Sequence, residues 1–280
     1  MSSIFFDQQN KLRNGWKILI FFITLAISMI LINTIFAILH IPQDILINEF
    51  LFFICVLIAT FIMMHFFERK NLSEIGLKLS RKTTYETIFG LILGFVMITV
   101  VVIPNVIAGY YKYDFTPNQI YPQIFESILL FALVAFAEEI LFRGYPFQRL
   151  IDATNPAIAT VIFSSLFASA HILNPNVNLI ALANIFLAGI WLSSAYIKTN
   201  SLWLPISLHF SWNFFQGYFY SLPVSGSTLI EPIFDVRINS ENLLSGGDFG
   251  PEGSILTSFI LIIGTIFILK HKRFTEWENF

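Results

Sequence analysis

The stretch FESILLFALVAFAEEILFR, residues 125–143, combines two demands that few folds can meet together. It is apolar over most of its length, with no proline or glycine to break a helix. At about 1.5 Å per residue it can cross most of a hydrocarbon core about 30 Å thick. Yet it carries Glu138 and Glu139 side by side, and Arg143 just beyond. Ionisable groups inside a span are costly and are candidates for function. Positions four apart share a helix face, so Glu139 stacks on Arg143 with the acid on the favoured N-terminal side. Glu138 points about 100° away. One carboxylate thus has a built-in partner, while the other is free to face a cavity. The plainer alternative is that both glutamates serve helix–helix salt bridges.

The rest of the chain agrees with a membrane setting. Of 280 residues, 56% are hydrophobic and only 12% are charged, too few charges to coat a water-soluble fold of this size. Phenylalanine is abundant, at 32 residues. The formal net charge is −2, so composition points to no nucleic-acid partner. Cys55 is the single cysteine, which excludes an intrachain disulfide and a cysteine-based zinc site; it reads as a small buried apolar residue.

Eight apolar runs approach the length of a span, near 16–39, 46–67, 87–110, 122–142, 155–172, 178–197, 202–220 and 254–270. The fold class expected is all-α, a polytopic transmembrane bundle of about eight spans. The runs lack the alternation of a β-barrel. The first run is too long for a cleaved signal peptide and is taken as a retained span. Basic residues gather before the first run, at Arg69, Lys70, Lys78, Arg81 and Lys82, at Arg149, at Lys198, and at Lys270, Lys272 and Arg273. With eight spans all of these fall on one side. Asp44, Glu49, Glu231, Asp235, Glu241, Asp248 and Glu252 fall on the other. Basic loops mark the cytoplasmic face, so both termini are expected in the cytoplasm. The organisation read from this is one membrane unit, with N-terminal helices over 1–119, a core over 120–220, and an outer loop with the last helix over 221–280. The polar stretch 221–253 carries Gly246-Gly247 and Gly250-Pro251 as turn signals and reads as an outer loop covering a cavity mouth.

Two more polar clusters sit in spans. Phe167-Ala168-Ser169-Ala170-His171 places Phe167 and His171 on one face. Leu208-His209-Phe210-Ser211-Trp212-Asn213 places His209 and Asn213 on one face. Either pair alone reads as packing or interhelical hydrogen bonding. A carboxylate, two imidazoles and an amide from three spans could instead converge on one water and hydrolyse a bond. His40, His65 and His271 read as structural or solvated.

Glu138-Glu139-x-x-x-Arg143, Phe167-x-x-x-His171 and His209-x-x-x-Asn213 together resemble the three motifs of the CAAX prenyl protease and bacteriocin-processing family, also called the CPBP or Abi family, over about residues 120–220. The resemblance implies an intramembrane endopeptidase with a peptide or protein substrate. It implies Glu138 as the water-activating residue, assisted by His171. His209 and Asn213 would form the oxyanion site, with Glu139 and Arg143 as structural support. The family has been described both as metalloproteases and as glutamate-dependent proteases. Glu138, His171 and His209 could serve as three zinc ligands, but no His-Glu-x-x-His helix is present, and the metal-free reading is favoured. Membrane lipids are the other expected partner, and a bacterial cell membrane the expected location.

Two other functions fit a buried Glu and His. One is a catalytically silent scaffold or immunity protein on the same fold. The other is a proton-coupled transporter, although no inverted repeat is visible. A geometric tension also stands. The fourth span should descend and the fifth rise, leaving Glu138 low and His171 high, unless the 143–155 segment extends the helices inward or the helices tilt strongly.

Overall fold

The computed structural model describes residues 4–115, 120–231, 233–239 and 242–276. Among the described residues, regular structure is helical apart from one small two-stranded ribbon. In order the helices are α1 (Asn14–Ile38), α2 (Ile45–Ile62), α3 (Arg81–Ile107), α4 (Ile120–Arg143), α5 (Tyr145–Ala153), α6 (Pro156–Ala170), α7 (Leu179–Thr199), α8 (Trp203–Phe214), α9 (Ile255–Lys270) and α10 (Arg273–Glu276). π-helical turns prolong α2 over Met63–Glu68 and α8 over Phe215–Phe219. Glu241, expected among the outer acidic residues, lies outside the described residues.

Four helices are long and apolar enough to cross a membrane: Asn14–Ile38, Ile45–Glu68, Arg81–Ile107 and Leu179–Thr199. Helices α6 and α9 are apolar but shorter. Among the described residues, four of the eight expected runs meet the length and composition of a span. Helix α8 is not one of them; with its π-helical turn it runs from Trp203 to Phe219. It is buried at its centre by other helices, which lets it carry Ser207, His209, Ser211 and Asn213.

Local chemistry sets the helix ends. Asp44, Ser80, Asn155 and Asn178 cap α2, α3, α6 and α7, each accepting a backbone N–H from the first turn. Pro156 follows its cap at the position where a missing N–H costs nothing. The cap at Asp44 corrects one expectation: Glu49 is not in an outer loop but inside α2, in its second turn.

Gly144 separates α4 from α5. A Cβ there would lie 2.1 Å from the Ile140 carbonyl oxygen, so only glycine allows this break. Residues Tyr145–Ala153 therefore form a separate helix between α4 and α6. Ring contacts give the register of the returning limb. Phe147 meets Phe163 at 5.6 Å, and Phe142 meets Phe167 at 5.1 Å. One antiparallel turn further up, the same register sets Glu138 level with His171, which removes the tension in depth. Glu68 fixes α5 at this end, accepting from Lys17 Nζ and Tyr145 Oη at 2.9 Å each, with Arg149 at 3.6 Å.

Helix α8 packs closely on α3 through Gly90 and Gly94, which face Ser207 and Ser211. Small residues spaced four apart let membrane helices approach. A Cβ at Gly94 would stand 2.8 Å from both the Leu208 carbonyl oxygen and Ser211 Cβ. Backbone cannot move aside as a side chain does, so Gly94→Val is expected to cost about 1–3 kcal/mol by overpacking. Thermal unfolding in detergent measures this; a variant melting with wild type would mean that the contact is slack.

At the opposite end, β1 (Tyr111–Phe115) pairs antiparallel with β2 (Phe234–Ile238). The Tyr111 hydroxyl donates to the Ser245 carbonyl. The loop after α8 is thereby tied to the end of α3.

Candidate active site

Glu139 and Arg143 lie fully buried where α4 meets α7 and α8. Arg143 Nη1 donates to Glu139 Oε1 at 2.9 Å, the pairing their spacing requires. Arg143 also donates from Nη2 to the Gly189 carbonyl at 3.1 Å, and its guanidinium lies 4.7 Å from the Phe167 ring centre. Gly189 lets α7 approach α6 closely, since a Cβ there would come within 2.8 Å of Ser164.

His209 joins the same cluster. Its Nδ1 is 2.8 Å from Glu139 Oε1. A carboxylate can only accept, so Nδ1 carries the hydrogen. Nε2 turns toward Glu138, 3.8 Å from its Oε2. Sequence spacing assigned Glu139 to Arg143 alone; the structure gives the same oxygen to both Arg143 and His209.

Glu138 makes no hydrogen bond to the described residues, and its side chain keeps 22% of its exposure. It borders a cavity of about 360 Å³ shared with His171, His209 and Asn213. His171 caps α6, and its Nδ1 is 2.8 Å from the Phe167 carbonyl. That carbonyl can only accept, so Nδ1 donates and Nε2 is the nitrogen left for chemistry. Asn213 is 6% exposed and makes no hydrogen bond to the described residues. All four residues expected at a catalytic centre thus border one space, with Glu139 and Arg143 behind His209.

The structure adds residues that sequence reasoning passed over. Glu49 from α2 and Glu252 from the loop before α9 also line the cavity. The signal for Glu49 was present, as a carboxylate inside the 46–67 run. The 221–253 loop is expected over a cavity mouth, but nothing in the sequence singles out Glu252 within it. Burial pushes its carboxyl above the usual range, opposed by the Ser225 N–H, by His171 and by Gln216.

Among the described residues, no group of three or more His, Cys, Asp or Glu side chains is placed to hold a metal ion. Glu138, His171 and His209 share a cavity without forming such a cluster, and His209 Nδ1 is committed to Glu139.

A buried cavity bordered by a free carboxylate, two oriented imidazoles and an open amide, inside an apolar helical bundle, defines an integral membrane protein with a polar interior site. The family comparison is more specific. Residues 120–215 match the family described as Type II CAAX prenyl endopeptidase Rce1-like. The stretch matched is the one that carries the Glu138-Glu139-x-x-x-Arg143, Phe167-x-x-x-His171 and His209-x-x-x-Asn213 motifs. No curated protein and no solved structure matches the chain.

Proposed function

We propose that the chain is an intramembrane endopeptidase in which Glu138 activates the attacking water, with residues 120–220 as the catalytic core. One observation carries the reading: of two adjacent glutamates, Glu139 is held through Oε1 by both Arg143 and His209, while Glu138 makes no hydrogen bond to the described residues and borders the cavity. As water attacks the peptide carbonyl, Glu138 takes its proton. His171 Nε2 shares that proton and helps return it to the leaving amine. The carbonyl oxygen becomes an oxyanion between Asn213 Nδ2 and His209 Nε2. His209 can donate from Nε2 only when both ring nitrogens carry hydrogen.

No metal enters this scheme. The substrate is a peptide or protein segment reaching the cavity within the bilayer, with membrane lipids covering apolar faces such as Ile23, Ile27 and Ile30 of α1. We place the chain in a bacterial cell membrane with eight passes, the shorter helices tilted or sheltered by neighbours, and both termini in the cytoplasm.

Cleavage of a quenched peptide library by detergent-purified protein tests the reading. Wild type, Glu138→Ala and Glu139→Ala are compared with and without a zinc chelator. Cleavage by wild type that resists chelation and is lost in Glu138→Ala is the expected result. Chelator-sensitive cleavage would require a metal mechanism. A folded wild type with no cleavage, together with Glu138→Ala that still complements a host deletion, would favour a silent scaffold.

A further inference from the structure

We infer that the substrate carries a cationic side chain, Lys or Arg, close to the bond that is cut, and that Glu252 receives it. The inference rests on the endopeptidase reading and narrows it to a substrate class.

Three carboxylates line the cavity: Glu49 from α2, Glu138 from α4 and Glu252 from the outer loop; no Lys or Arg does. Elsewhere the protein compensates its buried carboxylates. Glu68 has Lys17 at 2.9 Å, Glu86 has Lys82 at 3.6 Å, and Glu139 has Arg143 at 2.9 Å. Among the described residues, none of the three cavity carboxylates has a Lys or Arg at ion-pair distance; Glu138 has His209 Nε2 at 3.8 Å, and Glu49 and Glu252 have no ion pair. Glu49 and Glu138 are close enough for their charges to repel. Like charges in a partly dry space disfavour one another, and a substrate carboxylate placed there would add to the repulsion. A cationic group would relieve it.

A second observation independently marks the space as a ligand site. Asn213 is more than nine-tenths buried, borders the cavity, and makes no hydrogen bond to the described residues. Its amide awaits a polar group that the protein does not provide. Trp212 and Phe52 supply apolar walls for the methylene stem of a long cationic side chain.

Glu252 is the best-fixed of the three. One of its carboxylate oxygens accepts the Ser225 N–H, and its carbonyl accepts from Asn184 Nδ2 at 2.7 Å. Thr257 Oγ1 holds the neighbouring Pro251 carbonyl at 2.6 Å. Gly226, at φ +84°, lets the other limb of the loop press against Pro175, where a Cβ would lie 2.1 Å from the carbonyl oxygen. The clasp holds the carboxylate at the wall of the cavity that His171 also lines. A cation received at Glu252 therefore lies beside the catalytic imidazole, and the scissile bond within a residue or two of it.

The test has two arms on the full-length protein in detergent. In the first, quenched peptides of one sequence carry Lys, Arg, norleucine or Glu at each of the two positions flanking the cut. The cationic peptides are expected to exceed norleucine by roughly tenfold or more in kcat/KM at one position, with Glu lowest. Glu252→Gln should bring the Lys-to-norleucine ratio close to one, while Glu252→Asp, which keeps the charge, should retain a preference. In the second arm, fluorescent forms of the same peptides are bound to Glu138→Gln protein with and without Glu252→Gln.

Cleavage without a cation preference overturns the inference and leaves the endopeptidase intact. So does a preference that survives in Glu252→Gln. A binding preference that depends on Glu252, in a wild type that cleaves nothing, supports the cation site and removes the endopeptidase reading. Equal binding of Lys and norleucine peptides overturns the inference whatever the cleavage.

Discussion

Glu138→Gln is expected to lower kcat by roughly 10²–10⁴-fold, the range for loss of a positioned general base, while the protein melts as wild type does. The substitution keeps the shape of the side chain and removes its basicity. It breaks no hydrogen bond to the described residues, because Glu138 makes none, and its side chain is partly exposed to the cavity. Little folding energy is therefore at stake. KM should change less than kcat, because the base acts on water in the transition state rather than on bound peptide. Glu139→Gln should behave differently. Glu139 is fully buried and its Oε1 serves Arg143 and His209 together, so that change should lower both activity and melting temperature. Steady-state kinetics on the best library peptide, paired with thermal unfolding, separates the two. Equal loss of stability in both variants, or Glu138→Gln activity within tenfold of wild type, would remove Glu138 from the role of base.

What could be read beforehand follows the range of the interactions. The different directions of Glu138 and Glu139 depend only on helix geometry, and the Glu139–Arg143 pair lies one turn apart in sequence. Both were visible in a single line of residues. The His209–Glu139 bond spans 70 positions, and no local pattern announces it. His209 and Asn213 were read as a pair on one face, but they divide their work: one is tied to Glu139, the other is open to the cavity. The sequence leaves the relative level of Glu138 and His171 between two alternatives, an inward extension over 143–155 or a strong tilt. Gly144 shows in sequence as one glycine, and only its contact with the Ile140 carbonyl explains why the chain breaks there. Glu252 was least legible of all. It lies in an irregular loop whose course is set by positive-φ glycines such as Gly226 and Gly250 and by contacts with Ser225 and Asn184. Span counting fared similarly. Hydropathy marks apolar runs, but it does not show that the polar side chains of α8 are buried by neighbouring helices.

Arg143→Met is expected to destabilise the protein by about 3–5 kcal/mol, the cost of removing one partner from a buried ion pair. Methionine fills much of the volume, so the loss is electrostatic rather than a cavity. Glu139 would keep His209 at 2.8 Å but lose its guanidinium. The Gly189 carbonyl would lose its donor as well. A further Glu139→Gln change removes the stranded charge, so the double variant should regain part of the stability lost in Arg143→Met. Such non-additivity is expected of residues in one hydrogen-bonded network. Activity should not return with stability. In the double variant His209 faces an amide in place of a carboxylate, and nothing on that side stabilises the doubly protonated ring that the oxyanion requires. Denaturant or thermal unfolding of the four proteins in the cycle, with kcat measured on each, reads both effects. Additive losses of stability would mean that Glu139 and Arg143 act separately. A double variant restored in stability and activity together would mean that the pair only fills space and that His209 does not depend on its charge.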